Sequence, residues 1–83
     1  MLRFNDSNAE ENIIKTQSHE RIMKLVSQLP EEQREIIILR HFADLKFREI
    51  SSMLDCSVNT ALGRMRYALL NLRKMIEEQR VAI

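Results

Sequence analysis

Asp55-Cys56-Ser57-Val58-Asn59-Thr60-Ala61-Leu62-Gly63-Arg64-Met65-Arg66-Tyr67-Ala68-Leu69-Leu70-Asn71-Leu72-Arg73-Lys74 is the stretch that decides the fold. Ser57 is a good N-cap, because its hydroxyl can accept from a backbone N–H that a helix start leaves without a partner. Advancing about 100° per residue from Val58 brings Val58, Ala61, Leu62, Met65, Leu69, Leu72 and Ile76 to one side of a helix. Thr60, Gly63, Arg64, Tyr67, Asn71 and Lys74 fall opposite, with Asn59, Arg66 and Arg73 on the shoulder. The first face is apolar enough for a core. The second is basic and hydrogen-bonding along its length.

Working outward, Asp55-Cys56-Ser57 reads as a short turn, and before it Phe47, Ile50, Met53 and Leu54 have core spacing for a helix over 47–54. Ala43-Asp44-Leu45 is a connection. A longer helix is expected over 30–42, because Pro30 suits a helix start and Glu31, Glu32 and Glu35 suit the positive end of its dipole. The run Ile36-Ile37-Ile38-Leu39 would pass for a buried strand by itself. The helix-starting residues before it, and the lack of a second strand to pair with, decide for helix. Ile14, Ile22, Leu25, Val26 and Leu29 mark a first helix, weak before Ser18. Residues 1–17 read as a polar flexible segment or linker, and residues 18–83 as the domain. The fold class is all-α: four helices, the last two forming a C-terminal helix-turn-helix.

The composition agrees. Eighty-three residues suffice for one domain, and one Gly and one Pro leave few breakers. No run of apolar residues is long enough to span a bilayer, and no basic-then-apolar leader follows Met1, so a soluble cytoplasmic protein is expected. A single cysteine, Cys56, fits a reducing compartment and reads as a small buried apolar residue. The net charge of +1 conceals a division, −2 over residues 1–39 and +3 over residues 40–83. An acidic partner such as nucleic acid therefore belongs to the second half.

Two helices joined by a short turn, the second with a basic outer face, have the plan in which the second helix enters the DNA major groove. Arginine can donate a bidentate pair to guanine, and Asn and Thr reach bases or phosphates. Arg64 sits close enough to the cap to reach bases, Asn59 and Thr60 line the same approach, and Gly63 permits a short backbone-to-DNA distance. Arg66, Arg73 and Lys74 suit phosphates, which give affinity without sequence choice. Tyr67 lies on the same face and could equally pack against a neighbouring helix.

The chain resembles region 4 of bacterial sigma factors, most closely those of the extracytoplasmic-function group. The likeness rests on Leu29-Pro30-Glu31-Glu32-Gln33-Arg34-Glu35-Ile36, Leu39-Arg40, Phe47-Arg48-Glu49-Ile50, Leu54-Asp55-Cys56-Ser57, Asn59-Thr60, the segment Gly63 to Leu69, and Leu72-Arg73-Lys74. It covers about residues 18–78. The resemblance implies a promoter-recognition domain that reads the upstream, minus-thirty-five element of double-stranded DNA. It also implies docking on the β flap of RNA polymerase and, often, cover by an anti-sigma factor. Carried over by position, Ser57, Asn59, Thr60, Gly63, Arg64 and Tyr67 face the groove, and Arg40, Lys46 and Arg48 are phosphate candidates. The sequence departs from the family pattern in three places. Asp55 stands where glycine is usual, Lys46 stands where a Ser or Thr cap is usual, and Leu62-Gly63 replace a lysine and a small polar residue.

Region 2 of a complete sigma factor is not supplied by residues 1–17, so the chain reads as an excised C-terminal domain in preference to a free-standing region-4-like protein. Two other readings stand beside this one: a LuxR-type response-regulator output domain, and a module that binds polymerase or an anti-sigma factor without DNA. An enzyme is not expected. The sequence has no glycine-rich phosphate loop, no metal-ligand spacing and no carboxylate pair with an evident cleft, and His19 and His41 are too far apart for a helix-borne metal pair. No cofactor, metal, membrane or small-molecule substrate is implied.

Overall fold

The computed structural model describes residues 18–82. Four helices follow one another: α1 (His19–Val26), α2 (Glu31–Ile37), α3 (Phe47–Met53) and α4 (Val58–Ala82), with no strand among the described residues. The expected linker over residues 1–17 and the early apolar position Ile14 lie outside that range.

α1 opens on Ser18, whose hydroxyl accepts from the Arg21 N–H at 3.3 Å. It buries Ile22, Leu25 and Val26, and Leu29 follows them from the turn, which is the expected stripe. α2 has acidic residues in its first turn and buries Ile36 and Ile37 completely. The continuous helix expected as far as Phe42 instead widens into a π-helical turn over Ile38–Phe42. Hydrophobic spacing marks which face is buried but not the hydrogen-bond register, so the widening could not be read from it. Ile38 is exposed, about 150° round the helix from the buried side of Ile36 and Ile37, while Leu39 and Phe42 pack against the core. Asp44, in a left-handed conformation with φ 58°, ends the turn, and the Leu45 N–H donates to the Leu39 carbonyl at 3.0 Å.

α3 starts at Lys46, which has no side-chain acceptor to cap a helix. Glu49 compensates from inside the first turn by accepting from the Lys46 N–H at 2.9 Å. Ile50 is buried, with Phe47 and Leu54 half-buried against the core. Ser51 is buried as well, its hydroxyl donating to the Arg48 carbonyl at 2.9 Å. Met53, expected in the core, is 62% exposed. The buried side of α3 is centred between Ile50 and Ser51, and Met53 falls about 110° away from that direction.

α4 is the spine on which the other three helices pack. Its 25 residues span roughly 37 Å at the usual rise per residue, close to the 40 Å long axis of the molecule. Its buried positions are Ala61, Met65, Ala68, Leu69, Leu72 and Ile76. Val58 and Leu62, assigned to the core from the sequence, are exposed instead. Ala61 is buried as expected, and the change comes with Ala68, which is wholly buried and whose small side chain lets neighbouring backbones approach closely. With Ala68 included, the core direction of α4 lies about 30° round the helix from Val58.

Candidate nucleic-acid interface

The turn between α3 and α4 is a Schellman closure. The Cys56 N–H donates to the Ser51 carbonyl at 3.0 Å and the Asp55 N–H to the Ser52 carbonyl at 3.4 Å, with Asp55 left-handed at φ 54°. Aspartate thus takes the conformation glycine would normally take there, as its tolerance of that region allows. Cys56 is half-buried against the core and not wholly buried. Ser57 then caps α4 as expected: its Oγ accepts from the Thr60 N–H at 3.0 Å and donates to Thr60 Oγ1 at 2.9 Å. The two hydroxyls are therefore committed first to each other. Both residues are exposed, so each oxygen keeps capacity for a partner from outside.

The rotation of α4 resets its outer face, which is now centred on Gly63 with Asn59, Tyr67, Leu70 and Lys74 around it, all four exposed. Tyr67 is 66% exposed and so does not pack against a neighbouring helix. A Cβ added at Gly63 would meet no atom within 4 Å, so nothing in the domain's own packing requires glycine there. Arg66 and Arg73 are exposed along one flank. Lys46 and Arg48 are exposed at the start of α3.

The opposite flank of α4 is not open in the way the helical wheel placed it. Arg64 and Asn71 face the first turn of α2, where Arg64 Nη2 lies 3.2 Å from Glu32 Oε2 and Asn71 Nδ2 donates to Gln33 Oε1 at 2.7 Å. The Arg64 side chain is only 28% exposed, against 69% for Glu32. A single guanidinium nitrogen makes this ion pair, and the group has five N–H donors in all. Arg40 also turns inward. Its Nη1 donates to the Leu45 carbonyl at 3.1 Å and its guanidinium stacks 4.7 Å from the centre of the Phe47 ring, tying the α2–α3 connection to α3. Of the twelve residues singled out from the sequence, Arg64 and Arg40 are thus the two whose side chains are held by partners inside the fold across helices or loops. Sequence reasoning missed Glu32 and Gln33 as the residues that anchor α4, since nothing local to either marks a partner so far along the chain.

Among the described residues no three His, Cys, Asp or Glu side chains cluster as metal ligands, and no helix is long and apolar enough to cross a membrane. His19 lies edge-on to Phe42, with ring centres 5.4 Å apart.

Two comparisons with known proteins bear on this arrangement. The model of the sigma-70 region 4 family matches residues 19–72, which takes in α1 to α3 and most of α4. The chain is 34% identical over 77 residues to the RNA polymerase sigma factor SigZ of Bacillus subtilis (strain 168), a match covering 93% of this chain and 43% of that protein. The chain therefore corresponds to less than half the length of this relative. No solved structure matches. The helix-turn-helix of α3 and α4, the acidic start of α2 and the family match agree, and the chain belongs to the sigma-70 region 4 family.

Proposed function

We propose that this domain recognises promoter DNA for a sigma factor of the extracytoplasmic-function type, reading the minus-thirty-five element with α4 in the major groove. The observation that carries the reading is the outer face of α4: exposed Asn59, Tyr67 and Lys74 around an unobstructed Gly63, at the open side of a helix-turn-helix. Asn59, Thr60, Tyr67 and the backbone at Gly63 are the base-reading candidates, with Ser57 at the cap. Arg64 belongs with them from the α2 side, since its unpaired donors can reach a base edge while Glu32 holds the other end. Phosphates fall to Lys46 and Arg48 before the turn and to Arg66, Arg73 and Lys74 along α4. Arg40, already committed to the Leu45 carbonyl and the Phe47 ring, contributes mainly by fixing the approach to α3.

The partners that go with this function are double-stranded promoter DNA, the β flap of RNA polymerase and an anti-sigma factor, and the setting is cytoplasmic. The family match favours this reading over a response-regulator output domain. The exposed Met23, Ile38 and Met53 favour a second contribution from protein docking, because these large apolar side chains lie on elements other than α4. Selection from a random duplex pool at low salt, followed by sequencing of the retained fraction, tests the proposal. Enrichment of one short motif is expected. Retention without enrichment would make it a DNA-binding domain that needs polymerase to read sequence, and no retention would move the function to protein docking alone.

A further inference from the structure

Four of the seven large apolar side chains that the described residues expose lie on α4: Val58, Leu62, Tyr67 and Leu70. Val58 and Leu62 are 39% and 40% exposed and stand one turn apart on the same flank. They occupy the N-terminal end of the helix, the part that enters deepest into the groove in a helix-turn-helix complex. They take no part in the buried core, which on α4 begins with Ala61 and continues through Met65. Their flank is the one opposite Arg64, and it leads on to exposed Arg66 and Arg73.

The major groove offers one apolar feature to such side chains, the C5 methyl of thymine. Apart from the small C5–H of cytosine, the groups that distinguish the base pairs there are hydrogen-bond donors and acceptors, and an aliphatic side chain placed against those desolvates them without replacement. We infer that Leu62, with Val58 beside it, reads thymine methyl groups on one side of the recognition site, while the polar residues around Gly63 read the other. This rests on the DNA-reading function proposed above. Along the helix axis the two side chains are separated by about 6 Å, a little under two base-pair steps of about 3.4 Å. They can therefore meet methyls up to two base pairs apart. The inference gives α4 a source of sequence choice that does not depend on its charge, at the position where the usual lysine is absent.

The test uses the best-retained duplex from the random-pool selection, with each thymine replaced in turn by deoxyuridine, which removes only the methyl. Binding is measured for the wild type, Leu62→Ala, Val58→Ala and Leu62→Met. At one or two positions the wild type should lose on the order of three- to fivefold in affinity on methyl removal, the scale of one buried methyl. Leu62→Ala should bind the thymine duplex more weakly and show no further loss with deoxyuridine at one of those positions, whereas Leu62→Met should retain the dependence. Alanine is the better helix former at an exposed position, so the variant stays folded, which its melting curve checks. Selective binding with the same methyl dependence in wild type and both alanine variants would overturn this inference alone and leave the patch to a protein surface. A selected motif without A·T pairs would also overturn it. Failure to select any motif would overturn the DNA-reading function itself, and this inference with it.

Discussion

Replacing Gly63 by alanine separates what the fold needs from what the interface needs. Gly63 lies within α4, its φ is negative, and a Cβ there would touch nothing within 4 Å. Glycine inside a helix is less favourable than alanine by about 0.8–1 kcal/mol, mainly through the extra freedom of the unfolded chain. With no clash to offset that gain, Gly63→Ala should stabilise the isolated domain by nearly this amount. For a domain of this size the melting temperature should rise by about 4–8 °C. The same methyl group would stand at the centre of the proposed reading face. If the backbone there approaches the base edges closely, the added carbon must displace the helix, and a misfit of this kind costs about 1–3 kcal/mol. Thermal melting followed by circular dichroism measures the first effect, and fluorescence anisotropy with the selected duplex measures the second. The two should move in opposite directions, to a more stable protein that binds more weakly. Undiminished binding in the stabilised variant would refute the close approach at Gly63, and a lowered melting temperature would refute the open placement of that position.

Other changes have equally definite outcomes. Asp55→Gly should stabilise the domain by about 1 kcal/mol, because it relieves a left-handed residue that carries a Cβ; urea titration checks it, with a raised midpoint and unchanged slope. Glu32→Gln should lower stability by no more than about 1 kcal/mol, since the pair with Arg64 is partly solvated, and a double-mutant cycle with Arg64→Ala should recover that coupling. On DNA, Arg64→Ala should lose about 1–3 kcal/mol on the preferred site and much less on unrelated duplexes, whereas an equal loss on every sequence would make Arg64 a phosphate contact. Lys74→Ala should weaken binding evenly and reduce the slope of log affinity against log salt by about one.

The helices were readable because their signals are local. Ile22, Leu25 and Val26 share a face through spacing alone, Ser57 caps α4 by its own hydroxyl, and Asp55 closes the turn by a conformational tolerance it carries anywhere. What was not readable depends on contacts between helices. A wheel drawn from residue hydrophobicity gives little weight to Ala68, yet it is wholly buried beside the expected Ala61 and shifts the core direction of α4. That rotation carries Leu62 away from the core and turns Arg64 and Asn71 towards α2, while Val58, at the same angle as buried Ile76, is exposed at the start of the helix. The partners that hold them there, Glu32 and Gln33, look in the sequence like ordinary members of an acidic helix start. Arg40 likewise looks like an exposed cation until the bend at Asp44 brings the Leu45 carbonyl and the Phe47 ring within its reach.

The distribution of charge also bears on how such a domain would work. The net charge of +1 is too small to hold DNA by attraction to the whole molecule. The cations left exposed around the interface are five: Lys46, Arg48, Arg66, Arg73 and Lys74. If each neutralised one phosphate, log affinity would fall with log salt at a slope of about −4.5, which is roughly a five-hundredfold loss between 50 and 200 mM. The acidic start of α2 adds nothing to that attraction, and Glu32 offsets part of the charge of Arg64. A free domain with this inventory should read DNA selectively but weakly under cellular salt. Under the proposed function, attachment to polymerase would change the situation without any new DNA contact, because a tethered domain meets the promoter at a high effective concentration. Under the proposed function the small positive charge would then keep the unattached domain off bulk DNA and leave tight binding to the assembled enzyme.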